Sequence, residues 1–376
     1  VERALKESEQ FPKTLKYLEE VKNRLISLTK NMKEEEKLIK KPEFEFENFS
    51  EMIELMENSA DMVRDEKERS YIGSVSQFLQ MWQGQDEGFA RILSKNIIDN
   101  KVNISLNYRC LDPSLLSTEV IDSAYSIICM SGTLTPLEMY SDLLGFKDPI
   151  LKIYPNPFPK KNRLNLILPK TSTKFTKRSM GMYQDIAKEC ASIVNTVPGN
   201  SIVFFPSYQL KESITVFFNS LCSKTTFQEV KGISNNEKNE LLDNFKKENK
   251  KGAVLLAVIG GSFSEGIDLP GDFLKAVVVV GLPLGKPDLE TAELINYFDK
   301  KYSKGWDYAY IFPAMQKTIQ AAGRCIRTEK DKGVIVFLDE RYSWNNYFKC
   351  FPPDFEPHVT MLPLKRIGEF FNFSKD

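Results

Sequence analysis

The run Gln320-Ala321-Ala322-Gly323-Arg324-Cys325-Ile326-Arg327 carries one glutamine and two arginines at a spacing that, on a helix, brings them to one side. At about 3.6 residues per turn, Gln320, Arg324 and Arg327 fall within a narrow arc with Gly323 at its edge. Ile319, Ala322 and Ile326 point the other way, as an apolar side that docks on a sheet would. A guanidinium stays ionised, donates several hydrogen bonds from a planar fork, and stabilises charge that builds on a leaving γ-phosphate. The same spacing also describes an amphipathic helix with solvated arginines, so companions elsewhere in the chain decide its meaning.

Those companions follow short apolar blocks. Gly260-Gly261-Ser262-Phe263-Ser264-Glu265-Gly266-Ile267-Asp268, closing at Leu269-Pro270-Gly271, offers glycine amides for close approach to an anion and an acid, Asp268, that accepts from a ribose or positions an arginine. Read singly it is equally a tight strand-to-helix connection. Pro206-Ser207-Tyr208 supplies a hydroxyl and a ring able to hold a phosphodiester and a base. Lys170-Thr171-Ser172-Thr173-Lys174-Phe175-Thr176-Lys177-Arg178 mixes four basic residues with hydroxyls and one aromatic, as backbone-tracking loops do; a solvated loop capping the next helix has the same composition. Ser131-Gly132-Thr133-Leu134 is a small-residue turn whose hydroxyls can relay contacts between two ligands, or simply cap a helix.

Some chemistry is excluded. No Gly-x4-Gly-Lys-Ser/Thr phosphate loop occurs, and Gly281 to Pro287, superficially similar, has the wrong spacing and a proline where a magnesium-binding hydroxyl belongs. The single histidine, His358, rules out a mechanism built on a His pair. The six cysteines (110, 129, 190, 222, 325 and 350) are scattered singly, which fits a reducing, cytoplasmic setting rather than a zinc cage or disulfide framework. No apolar run reaches the ~18 residues that would cross a bilayer. With 51 basic and 51 acidic residues, any polyanion site must be a local patch.

At 376 residues, two or three domains are expected to position these groups. Residues 1 to about 100 read as helical with almost no strand signal: Leu15, Leu18, Val21, Leu25 and Leu28 recur at helical spacing, as do Tyr71, Val75, Phe78 and Trp82. From about 101 the pattern becomes α/β. The apolar blocks 126–130, 164–168, 201–205, 253–258, 276–280 and 334–338 alternate with amphipathic helices, which predicts a parallel sheet covered on both faces. In such sheets the ligand site lies beyond the carboxyl ends of the strands, where the loops above begin.

Taken in order, 131–134, 201–208, 260–271 and 320–327 resemble motifs III to VI of superfamily 2 helicases. The spellings Ser-Glu-Gly-Ile-Asp and Gln-x-x-Gly-Arg-x-Ile-Arg, with Leu111-Asp112-Pro113-Ser114-Leu115-Leu116 upstream, are similar to the XPD/DinG branch of DNA helicases, archaeal members above all. The resemblance implies a 5′-to-3′ DNA helicase of the nucleotide excision repair class. Residues 1–100 would form the helical arch, 101–150 a C-terminal fragment of RecA-like motor domain 1, and 151–376 RecA-like motor domain 2. ATP and Mg²⁺ would lie between the motor domains. The Walker motifs and the four cysteines of a 4Fe-4S cluster would lie in an N-terminal half upstream of Val1, leaving this chain without a cluster and inactive as an ATPase alone.

Carried over by position, the resemblance makes Arg324 the arginine finger, with Arg327 and Gln320 as catalytic neighbours. Glu265, Gly266, Asp268 and Gly323 fall on the nucleotide side. Thr173, Lys174, Phe175, Arg178, Ser207, Tyr208, Ser262 and Ser264 fall on the single-stranded DNA side. Expected partners are single-stranded DNA, ATP, the N-terminal half and repair proteins reaching the arch, and no membrane. Two rivals remain at this stage: an ATPase-inactive module that binds single strands or a partner, and an RNA helicase of similar core.

Overall fold

The computed structural model describes residues 1–98, 101–264, 266–267, 269 and 271–371, in two compact units. The first comprises Val1–Tyr125, Leu143–Gly145 and Pro287–Gly305; the second comprises Ser126–Asp142, Phe146–Lys286 and Trp306–Asp376. Strands Phe89–Ile98 and Lys101–Cys110 pair with each other within the first unit, and helix Leu289–Tyr302 belongs to that unit as well.

In the first unit, helices Pro12–Thr29, Phe49–Glu66 and Tyr71–Trp82 bury Leu18, Val21, Met52, Met56, Ile72, Leu79 and Trp82 in one core. Ser70 caps the third of these by accepting from the Gly73 amide (3.2 Å). The near absence of strand expected up to residue 100 is corrected: β1 (Glu36–Leu38), β2 (Phe89–Ile98) and β3 (Lys101–Cys110) form an antiparallel sheet in that order. The reason is that both faces of β2 are covered. Leu93 joins the helical core, while Ala90 and Ile92 cluster with Leu111 against Leu289, Leu294 and Tyr297, so no apolar/polar alternation marks the strand. Arg91 hides it further. Its buried guanidinium donates to the Trp82 and Gly84 carbonyls (3.0 and 2.8 Å) and lies over the rings of Trp82 and Tyr108.

The second unit holds a seven-stranded sheet in which every pair is parallel. Its strands are β4 (Arg163–Leu168), β5 (Ser201–Phe205), β6 (Thr225–Gln228), β7 (Ala253–Val258), β8 (Ala276–Val280), β9 (Gly333–Leu338) and β10 (His358–Val359). Their order across the sheet is β10-β4-β9-β8-β5-β7-β6. Five of the expected blocks are strands. The sixth, 126–130, is not: Ile128 and Met130 are 86% and 87% exposed, and no described strand pairs with the segment. Leu166, Val203, Leu256, Val278 and Val336 pack beneath helices Met180–Thr196 and Tyr208–Leu221 through Ile186, Cys190, Ile214 and Phe218. On β9, Phe337 packs instead against Tyr342, Phe351 and Phe355, with the rings tilted or edge-on.

One buried acid organises the end of the first unit's hairpin. Asp112, 1% exposed, accepts from Tyr297 Oη (2.6 Å), Lys301 Nζ (2.6 Å), Ser114 N (3.0 Å) and Ser114 Oγ (2.6 Å). Burial alone would raise its pKa, but the hydrogen bonds from Lys301, Ser114 and Tyr297 outweigh burial and hold it below the ordinary carboxylate value. A depressed folded pKa gives stability that is complete above the unfolded value of about 3.9 and is lost as pH falls through the folded one. Asp112→Asn is therefore expected to cost roughly 1–3 kcal/mol at neutral pH and to flatten the acid limb of the stability curve, measured by urea unfolding from pH 7 downward. An acid limb identical to wild type would contradict this.

Candidate functional site at the carboxyl edge of the sheet

Because all strands run one way, the loops that follow them emerge on one edge of the second unit. In sheet order these are 169–178 after β4, Asp339 after β9, Gly281 after β8, Pro206–Tyr208 after β5, the glycine loop after β7, and Glu229 after β6.

Helix Phe312–Ala322, with Pro313 in its first turn, stops short of the expected length. Gly323–Cys325 tighten into a 3₁₀ turn and Ile326 is extended, so Gln320, Arg324 and Arg327 do not share one helical face. Ile319, Ala322 and Ile326 are buried as expected, and Arg324 is buried too, at 8% exposed. Arg324 Nε donates to the Ser264 carbonyl (2.8 Å), joined by Nη2, and Nη1 donates to the Ile267 carbonyl (2.7 Å). A buried guanidinium requires such acceptors. It clamps the glycine loop against the end of the helix, which is a positioning task rather than a surface one.

Asp331, 2% exposed, ties the same two segments together a second time. Its carboxylate accepts from the amides of Arg327 (2.7 Å), Thr328 (2.8 Å) and Gly271 (3.0 Å), and from Thr328 Oγ1 (2.6 Å). Burial pushes its pKa up, but the Thr328, Arg327 and Gly271 donors bring it below the usual range. Arg327 itself lies on the surface, and half-buried Gln320 donates to Thr133 Oγ1 (3.2 Å), joining the small-residue turn to the arginine segment. Gly323 is exposed, and nothing lies within 4 Å of where a Cβ would stand.

In the glycine loop, Glu265 and Asp268 lie outside the described residues. Gly260, Gly266 and Gly271 have φ of +78°, +66° and +67°, a left-handed conformation that suits glycine. Two hydroxyls expected at nucleic acid are placed differently. Ser264 is buried and its Oγ donates to the Gly261 carbonyl (2.8 Å), whereas Ser262 is half-exposed. The Ser262 amide donates to Glu229 (2.6 Å), a fully buried acid that also accepts from Tyr208 Oη (2.8 Å) and the Val258 amide (2.8 Å). Lys211 Nζ donates to the Glu229 carbonyl. Burial and the Glu229 partner push the Tyr208 phenol up to about 12. The Tyr208 hydroxyl thus points inward, leaving the half-exposed ring as the available surface. Ser207 accepts from the Leu210 amide (3.2 Å) as a helix cap.

At the other end of the edge, Thr173 is corrected from a surface contact to a core group. It is 3% exposed, its amide and hydroxyl donate to Asp339 (2.8 and 3.2 Å), and its oxygen accepts from Arg341 Nη2 (2.7 Å). Lys174, Phe175 and Arg178 are exposed, Phe175 at 82%, with the Arg178 guanidinium 5.7 Å from the Phe175 ring centre. Strands β4 and β5 are three spacings apart, about 14 Å, so this cluster and Tyr208 are separate contacts on one edge.

Sequence reading missed Glu229, Asp331, Asp339 and Arg341. Glu229 and Asp339 directly follow strands, the same rule that found the loops, but β6 (Thr-Thr-Phe-Gln) is too short and polar to be recognised as a strand. None of the described residues forms a group of three or more metal-ligating side chains. The Cys190 thiol is buried in the sheet core, and desolvation pushes its pKa up.

The geometry separates two glycines. A Cβ on Gly261 would stand 2.4 Å from Glu229 Oε1, a carboxylate held by three donors. Gly261→Ala is expected to destabilise by roughly 1–3 kcal/mol, and Gly323→Ala by no more than about 0.5 kcal/mol, both measured by urea unfolding. Equal effects would contradict the packing described.

A family model described as the helicase C-terminal domain matches residues 190–358, which lie mostly in the second unit. Over 311 residues the chain is 27% identical to the general transcription and DNA repair factor IIH helicase subunit XPD/RAD3 of Saccharomyces cerevisiae, covering 78% of this chain and 40% of the yeast protein. Over 274 residues it is 32% identical to the ATP-dependent DNA helicase CHL1 of Candida albicans, covering 64% and 32% respectively. The chain thus spans two fifths or less of the length of these relatives. The structure of S. tokodaii Xpd4 superposes with a TM-score of 0.65 at 19% identity, covering 96% of this chain and 70% of that one; an apo XPD structure gives 0.62 at 22%, covering 95% and 70%. The parallel sheet is accordingly of the RecA-like kind found in these helicases. A helicase C-terminal domain match, likeness to XPD/RAD3 subunits over most of its length and a fold shared with XPD structures together make this chain similar to the XPD-type helicases.

Proposed function

We propose that the chain serves as the C-terminal motor part of an ATP-dependent 5′-to-3′ DNA helicase. The first unit acts as the arch that meets repair partners, and the second as motor domain 2 together with a closing segment of motor domain 1. The observation that carries this reading is the double tie between the glycine loop and the arginine segment, through Arg324 to the Ser264 and Ile267 carbonyls and through Asp331 to Gly271 and Arg327. It fixes the backbone of Arg327 at the carboxyl edge.

In this reading the arginine-finger role moves from Arg324 to Arg327. Arg324 aims the loop, and Arg327, with Gln320 beside it, meets the γ-phosphate of a nucleotide whose phosphate cradle and Mg²⁺ ligands belong to motor domain 1. Gly266 and Gly323, together with Glu265 and Asp268, stay assigned to the nucleotide side. On the strand side, Lys174 and Arg178 neutralise phosphates, Phe175 and the Tyr208 ring stack on bases, and Ser207 and Ser262 contact the backbone. Closure of the motor domains on ATP, and opening after hydrolysis, would move that strand grip.

The exposed Lys174-Phe175-Arg178 cluster, in a chain with no phosphate loop, also supports a second reading: a single-strand-binding module without ATPase activity. Two measurements separate the readings. In the full-length helicase, Arg327→Ala should lower DNA-stimulated turnover by about 10³–10⁵ without altering thermal stability, whereas Arg324→Lys should lower stability as well. Phe175→Ala should weaken single-strand binding by about 1–3 kcal/mol in fluorescence anisotropy. Wild-type turnover of the Arg327→Ala enzyme would exclude the motor assignment, and binding loss without any DNA-stimulated ATPase in the parent would favour the module.

A further inference from the structure

We propose that Glu229 is a positioning residue that transmits the placement of the Tyr208 hydroxyl to the turn 258–264, coupling the strand-facing loop to the nucleotide-facing one. This rests on the reading above for what each loop contacts. The coupling itself rests on geometry within the second unit.

Glu229 is 0% exposed, so its carboxylate has no water to fall back on. Oε1 is shared by two donors from different loops, Tyr208 Oη at 2.8 Å and the Ser262 amide at 2.6 Å, and Oε2 takes the Val258 amide at 2.8 Å. The Glu229 backbone is also pinned: its amide donates to the Leu256 carbonyl (2.9 Å), and its carbonyl accepts from Lys211 Nζ. With the main chain fixed, a shift of the phenol is accommodated by the carboxylate, and the carboxylate moves the first turn of the glycine loop. Gly261 leaves the space this requires, since a side chain there would meet Oε1. A few residues on, the same loop presents the Ser264 and Ile267 carbonyls to Arg324. Hydrogen bonds joined by the main chain of residues 262–264 therefore run from Tyr208 through Glu229 and the loop to the arginine segment. Glu229 and the loop carry the connection between Tyr208 and Arg324.

The test is amide exchange, followed by NMR or mass spectrometry, on the chain and on its Tyr208→Phe, Glu229→Gln and doubly substituted forms. Tyr208→Phe removes one oxygen from a half-exposed ring and should leave the fold intact even if Glu229→Gln does not. It should nonetheless accelerate exchange at the Ser262 and Val258 amides about tenfold, the effect of losing a charge-assisted hydrogen bond, though the Tyr208 hydroxyl donates to Glu229 and both amides reach it only through that carboxylate. The double variant should match Glu229→Gln alone, because both changes act through one carboxylate. Wild-type exchange at Ser262 and Val258 in Tyr208→Phe would overturn the proposal.

A second arm uses oligothymidylate. Its binding should change protection at Val258 and Ser262 in the wild type and leave them unchanged in Tyr208→Phe, a response that a purely structural role would not produce. The same change in both proteins, or no change in a wild type that binds the oligonucleotide, would also overturn the proposal. Failure of the wild type to bind oligothymidylate would count against the helicase reading of this edge, and the first arm would still decide the role of Glu229.

Discussion

Charge that is withdrawn from water must be answered by the protein, and along the carboxyl edge of the second unit this requirement shapes the loops. Glu229, Arg324, Asp331 and Asp339 are all buried, and each makes at least one hydrogen bond with a backbone amide or carbonyl of a segment distant in sequence. Parallel pairing of the strands delivers the loops to one edge; the buried charges then fix how the loops stand relative to one another. The acids collect amides where the chain turns, and the arginine collects carbonyls of the glycine loop.

This division of labour changes the meaning of a familiar arginine pair. Read as letters, Arg324 and Arg327 are equivalent cations three residues apart. In the fold the helix ends between Gln320 and Arg324, and that termination turns one guanidinium into the interior and leaves the other on the surface. Helix periodicity extrapolated past Ala322 cannot register such a change, because Gly323 and Cys325 are compatible with either continuation. Thr173 and Ser264 follow the same logic: short hydroxyl side chains next to a buried carboxylate or a turn carbonyl find partners indoors.

The legible parts were those governed by a single period. β5, β7, β8 and β9 are uninterrupted apolar blocks, buried on both faces, and their positions and the edge they define follow from that alone. β2 was illegible for a related reason: covered on both faces yet carrying Arg91 and Lys95, it shows neither a clean block nor a clean alternation. β6 and β10 are too short to rise above loop composition. The segment 126–130 has a strand's letters without a described strand to pair with, since hydrogen-bonded pairing and not apolar content makes a strand. Of the site, the loops were found because they follow strands; the residues holding them were not, because a lone Glu or Asp has no periodicity to betray it.

The buried lock of Thr173, Asp339 and Arg341 also has a bearing on how such an edge can diverge. It joins the loop after β4 to the loop after β9 and, through Tyr342 Oη, to the carbonyl of Gly281, whereas Glu229, Tyr208, Ser262 and Arg324 belong to a second network built around the glycine loop. Energetic effects of substitutions in separate networks add, while those within one network do not. The edge is therefore modular: the basic aromatic loop can change without disturbing the setting of the arginine-bearing segment.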